Sequence, residues 1–179
     1  MEENTMFLMR NRTYWLHVFI QTLGATAFMG LVLLGLNKVA DAKIIWAAGA
    51  STLASSAFLI FCVPDSPVAK PLKIIGGYVV ATLVGEGMRL LINFLCQLLP
   101  HCHVADPPLR LFELAAALSV GVTFLLMVLF KLEHPPAAGL AVVMVLDIRN
   151  MEAMLIILAA AILLTLIRTI FRNQLRRLV

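Results

Sequence analysis

Two short stretches of this 179-residue chain set ionisable side chains against prolines. The first is Lys131-Leu132-Glu133-His134-Pro135-Pro136-Ala137-Ala138-Gly139. An imidazole just before a helix start can donate, accept or carry a proton near neutral pH. The adjacent Glu133 and the double proline set it apart from an ordinary polar residue at a span boundary. The second stretch is Pro64-Asp65-Ser66-Pro67-Val68-Ala69-Lys70-Pro71, whose three prolines forbid a regular continuous helix. Ser66 can cap a helix, and Pro67 suits a first helical position. Each stretch reads either as a stiff turn or as a broken helix start whose backbone amides face a solute.

A third candidate lies inside an apolar run. Glu86 and Arg89 are three residues apart, on one face of a helix, where they can pair. An unpaired charge at mid-membrane costs roughly 2.5–3.5 kcal/mol, so both must face protein or water. Two readings stand side by side: an internal ion pair that fixes packing, or the lining of a conduit. His101-Cys102-His103 with Asp106 lacks the spacing that lets side chains converge on one ion, so no metal and no cofactor is expected. Phosphate-binding loops, nucleophile elbows and zinc-protease motifs are missing from the sequence, and enzyme chemistry has no support.

The elements that must position these residues are set by composition. Hydrophobic residues make up 61% of the chain and charged residues 13%, with a mean hydropathy of +0.96, a balance that excludes a water-soluble domain. The net charge of +4 is scattered over loops and the C-terminal arginines. That favours anionic lipid headgroups over nucleic acid as partner. Three cysteines, an odd number, imply no disulfide framework.

A spanning helix needs about 20 apolar residues. Runs at 14–36, 44–62, 74–99, 111–130 and 151–171 qualify, and PPAAGLAVVMVL, within 135–147, is apolar but short. Its twelve residues reach only about 18 Å, so it is re-entrant or a short crossing. The expected fold is a single all-α polytopic membrane domain over 1–179, with five to six transmembrane helices. Arg10 and Arg12 precede an apolar stretch that continues past Ala25-Thr26-Ala27, as a retained span does and a cleaved signal peptide does not. With six crossings, nine basic residues fall on the side of the termini against four opposite, which places both termini in the cytoplasm. With five crossings the split is even.

An internal repeat fits the six-crossing topology. At an offset of 68, Asp65 to Ala69 falls on Glu133 to Ala137, making the second and fourth helices equivalent and parallel. The second span is crowded with Ala, Gly and Ser from Ala47 to Ala57. Such a helix packs closely and is expected at the centre of the bundle; a serine-lined surface facing substrate is the alternative. Gly76-Gly77 also suggests close packing.

Gly49-Ala50-Ser51, Phe61, Pro64, Ser66-Pro67, Ala69, Pro71, Gly76-Gly77 and His134-Pro135-Pro136, in this order, resemble the HPP family of integral membrane proteins. The likeness runs from about Phe19 to Arg172. It implies a transporter, since plant chloroplast and cyanobacterial members are associated with nitrite movement. Some bacterial relatives add a CBS regulatory domain, which a chain of this length is expected to lack. Two positions depart from the family pattern: Tyr78 replaces a common His, and Ala137-Ala138-Gly139 replaces Gly-Ala after the tripeptide.

The sequence therefore predicts a bacterial plasma-membrane transporter or channel for a small inorganic anion such as nitrite, working as a homo-oligomer. Amides following Ser66 and His134 would attract the anion, with Lys70, Lys131 and Arg89 supplying positive potential. The alternatives are a proton or cation pathway through Asp65, Glu86, Glu133 and His134, and a scaffold subunit that conducts nothing.

Overall fold

The computed structural model describes residues 12–37, 43–98, 109–146 and 151–178. These form six α-helices: α1 (Arg12–Asn37), α2 (Lys43–Cys62), α3 (Pro71–Leu98), α4 (Leu109–Leu129), α5 (Pro135–Leu146) and α6 (Met151–Ile170). A single 3-10 turn, Pro67–Ala69, precedes α3. No strand occurs among the described residues. α1, α3, α4 and α6 are each long and apolar enough to cross a bilayer. The surplus of apolar side chains faces outward: Leu72, Leu83, Leu90 and Phe94 on α3, with Leu118, Leu125 and Val128 on α4, are exposed, as lipid-facing positions are.

Long-range hydrogen bonds gather one end of the bundle. Leu178 N–H donates to the Cys62 carbonyl at 2.9 Å, and the Tyr14 hydroxyl donates to the Leu178 carbonyl at 2.9 Å. Arg168 Nη2 donates to the Pro64 carbonyl at 2.9 Å. The start of α1, the end of α2, the start of α3 and the end of α6 therefore meet there, and the Lys73–Glu133 pair adds the end of α4 and the start of α5. Helix direction reverses between each of the six helices and the next, and α2 and α4 run parallel, as the offset of 68 predicts. α5 thus runs from this end toward the other, though twelve residues extend it only about 18 Å.

α5, not α2, is the helix at the centre. It packs on α2, α3 and α4, and seven of its twelve residues are buried. α2 turns Thr52, Leu53, Ser56 and Ile60 inward while Ser51, Ala54, Ser55 and Phe58 remain exposed, so the expectation of a fully surrounded second helix is met on one face only. Glycines on α3 make α5's central position attainable. A Cβ on Gly77 would sit 2.9 Å from His134 Cβ, and one on Gly85 would collide with Met144 and lie 2.9 Å from the Ala141 carbonyl oxygen. Gly77, Ala81 and Gly85 form a stripe at helical spacing, and small residues of this kind allow backbones in lipid to approach closely.

Candidate functional site

The two proline corners meet at this shared end. The first differs locally from the sequence expectation. Ser66 makes no side-chain cap, and the helix it begins lasts one 3-10 turn. Lys70 then adopts an extended conformation (φ −63°, ψ 138°), because the ring of Pro71 disfavours a helical residue before it. The long helix α3 starts only at Pro71. Asp65, Pro67 and Lys70 are exposed.

The second corner begins with a helix stop. Lys131 occupies the left-handed region (φ 57°), its N–H donates to the Val128 carbonyl, and Leu132 N–H donates to the Met127 carbonyl at 2.8 Å. This pair of bonds is the Schellman pattern that closes α4. The chain then turns directly into α5 at Pro135. Ala137 N–H donates to the His134 carbonyl at 3.0 Å. Prolines 135 and 136 have no N–H, so the start of α5 offers no free amide in its first three positions. The expectation that amides after His134 hold an anion is thereby corrected: what this corner presents is the imidazole.

His134 is completely buried, as are Ser56 and Tyr78. Its Nδ1 lies 2.9 Å from the Val68 carbonyl oxygen, joining the two corners directly. A carbonyl only accepts, so Nδ1 carries the proton. In the neutral ring Nε2 must then accept, and it does so from the Ser56 hydroxyl at 2.8 Å. Tyr78 donates its hydroxyl to Ser56 Oγ at 2.9 Å, with Thr52 Oγ1 3.5 Å away. The Ser56 hydroxyl has a second acceptor, the Thr52 carbonyl at 3.1 Å. Should Nε2 gain a proton, it can donate to Ser56 Oγ while the Ser56 proton turns to that carbonyl. Hydroxyl rotation alone therefore accommodates both protonation states. Burial holds His134 below the ordinary imidazole range, partly offset by its bond to Val68.

The charged candidates divide into two groups. Glu133 pairs with Lys73 at 2.5 Å, and this partner holds its carboxyl below the usual range. Glu86 and Arg89 form a two-point pair at 2.5 and 2.9 Å on α3. Eight residues separate Glu86 from Tyr78, about 12 Å along the helix, so this pair stands apart from the cluster. Gly76 and Gly77 abut it instead: a Cβ on Gly76 would press on Leu132. A depression of about 550 Å³, lined by Ala54, Ser55, Phe58, Val68, Pro135 and Pro136, reaches the same corners from outside.

Sequence reasoning missed Ser56, Thr52, Lys73 and Arg168 as site residues and treated Tyr78 only as a departure from the family. Arg168, inside the last apolar run, clamps Pro64. Thr82, one turn beyond Tyr78, has a buried hydroxyl without a hydrogen-bond partner among the described residues. Cys62 is a free thiol. The His101-Cys102-His103 stretch and Asp106 lie outside the described residues, and no metal-ligating cluster occurs among the described ones.

Helices long enough to span, lipid-facing apolar surfaces and a polar cluster sealed inside define an integral, polytopic membrane protein. The family described as HPP, transmembrane region, matches residues 10–178, and the chain belongs to that family. It is also 29% identical over 125 residues to a protein of Dictyostelium discoideum described as a transmembrane protein. That match covers 70% of this chain and 39% of the relative. No solved structure matches the chain.

Proposed function

We propose that the chain moves a small inorganic anion, with nitrite favoured, past the His134–Ser56–Tyr78 cluster. The observation that carries this reading is the pairing of the carboxylates. Glu133 is matched by Lys73 and Glu86 by Arg89, so two of the three carboxylates that would repel an anion are neutralised, and the third, exposed Asp65, feels the charge of Arg168. The groups left around the corners are hydroxyls, an imidazole, Asp65 and the cations Lys70 and Lys131, a balance in which positive charge is in excess. The cluster itself is closed. Val68 lines the outer depression and also accepts from His134, so displacing the Val68–Pro135 layer would open the depression onto the cluster.

The same reading places the corner end in the cytoplasm of a bacterial plasma membrane, following the distribution of basic residues. It also assembles copies through the exposed small-residue face of α2. A second reading draws on the imidazole–hydroxyl chain, which can pass a proton without an anion.

Flux in proteoliposomes separates the readings. Nitrite uptake above protein-free vesicles, lost at least about tenfold in His134→Ala and reduced to a lesser degree in Lys70→Gln, supports the anion pathway. Proton flux without nitrite would replace it with the second reading. Unchanged solute and proton permeability in both proteins would leave a scaffold.

A further inference from the structure

A second concavity is distinct from the depression at the corners. A slot of about 590 Å³ runs between α1 and α6 and is closed at one side by Phe61 and the segment after α6. Its volume is in the range of small-molecule sites, roughly 300–1,000 Å³. The deep part is apolar, lined by Ala27, Phe28, Leu31 and Leu163. Its mouth at the corner end is polar, with His17, Gln21 and Gln174. Gly24 keeps the slot open beside Phe61, since a Cβ there would stand 3.0 Å from that ring.

Three observations show what the slot is built to hold. The first is depth. α1 is long enough to outreach about 30 Å of hydrocarbon, and its first turns carry Tyr14 against exposed Trp15, the aromatic pair expected at a membrane–water boundary. The mouth therefore lies near headgroup level and the apolar part among the chains. The second is charge. Residues 171–178 fold across the mouth and bring the exposed Arg172 and Arg176 with them. Gln21, which lines the slot, donates to the Arg176 carbonyl at 2.9 Å and accepts from its N–H at 3.3 Å, fixing that residue at the rim. The third is polarity. His17 Nδ1 donates to the Thr13 carbonyl at 2.7 Å, which turns the ring's other nitrogen to a different partner.

We propose that this slot is a specific site for an anionic glycerophospholipid, one acyl chain lying between α1 and α6 and the phosphate held by Arg172 and Arg176. The lining suits a lipid: an apolar trough between two helices with a polar mouth, and the exposed Arg172 and Arg176 on the segment that crosses that mouth. A second copy of the chain would have no use for that one-ended charge.

The test is native mass spectrometry of the full chain in detergent, titrated with phosphatidylglycerol or phosphatidylcholine of identical chains. The expected result is a single retained lipid, with phosphatidylglycerol preferred by roughly fivefold for each arginine engaged. Arg172→Gln combined with Arg176→Gln brings the ratio toward one while phosphatidylcholine still binds. Ala27→Phe and Leu31→Trp, which fill the trough from exposed positions without displacing core atoms, reduce binding of both lipids. Equal affinity of the parent for the two lipids overturns the proposal. So does an unchanged one-lipid adduct in both trough variants, which would put the phosphate on the basic surface alone. Loss of a dimer rather than of lipid in those variants would assign the slot to a second copy. None of these outcomes depends on what the corner cluster transports.

Discussion

The two corners share one grammar, an acidic residue, a variable position and a proline, yet they deliver different groups to the interior. At the first, the variable position is Ser66, half-buried and without a side-chain cap, and the groups delivered are main-chain carbonyls of Pro64 and Val68. At the second, the same position is His134, fully buried, and the group delivered is a side chain bonded through both nitrogens. One corner accepts and the other donates, and their joint is a single hydrogen bond. Proline spacing marks where a helix must break, but the residue before the proline decides what enters the core.

The sharpest way to break this comparison is to truncate both positions. His134→Ala leaves the Ser56 hydroxyl and the Val68 carbonyl without their partner and opens a void, so stability should fall by about 3 kcal/mol or more. Ser66→Ala removes nothing that is bonded and should stay within about 0.5 kcal/mol. Unfolding midpoints in detergent measure both. Similar losses would mean that the corners contribute alike and that the buried imidazole is not the anchor.

Glycines test the same contrast one layer out. Gly77→Ala drives a methyl against His134 Cβ and Ala137 Cβ, at 2.9 and 3.4 Å, and should cost about 1–3 kcal/mol. Gly87, on the same helix but with open space around it, should tolerate Ala or gain up to about 1 kcal/mol. An equal response at both would show that α3 can shift away from the second corner.

Acidification should act through the second corner only. An unfolded histidine titrates near about 6.5. Buried His134 resists its proton to a lower pH, so between these values the unfolded chain binds more protons and stability falls as pH drops. The side chains that touch it, the Tyr78 and Ser56 hydroxyls, carry no charge in this window. Glu133, held low by Lys73, loses its contribution only as pH falls below about 4.3. Melting temperature should therefore decline from pH 7.5 to 5.5 in the parent and be flatter in His134→Gln. Parallel slopes would assign the proton uptake to another group.

Much of this was legible because lipid imposes strong rules. Run lengths marked the helices, the prolines marked both breaks, and the three-residue spacing of Glu86 and Arg89 marked their pair. The sequence could not say which side of α2 faces inward, because Ala, Ser and Gly surround that helix almost evenly and leave no periodic signal. Ser56 and Thr52 were hidden for that reason. Lys73 and Glu133 are 60 residues apart, and Arg168 and Pro64 are 104 apart, distances at which no local pattern operates. The polar start assigned to Ser66 failed through Pro71, whose restriction on Lys70 ended the turn before a helix could extend.

The smallest expected effect is the most discriminating, because it compares equivalent residues. At the offset of 68, Val63 corresponds to Lys131, each directly past the end of its helix or one residue beyond. Lys131 sits in the left-handed region, where a Cβ costs about 1–2 kcal/mol. Among the described residues it is the one non-glycine with positive φ, so Val63 carries no such strain. Its N–H simply continues the helical pattern to the Leu59 carbonyl at 3.1 Å. Replacing each by Ala and by Gly removes side-chain contributions, including the charge of Lys131, from the comparison. Gly should exceed Ala at 131 by up to about 1 kcal/mol, since the relief of strain outweighs the added freedom of the unfolded chain. Gly should fall below Ala at 63 by about 0.5–1 kcal/mol, because there only the entropy remains. Opposite signs at two positions that the repeat makes equivalent would show that the corners diverged in backbone as well as in side chain. The same sign at both would make the left-handed turn a feature either corner can adopt, leaving His134 alone to account for their difference.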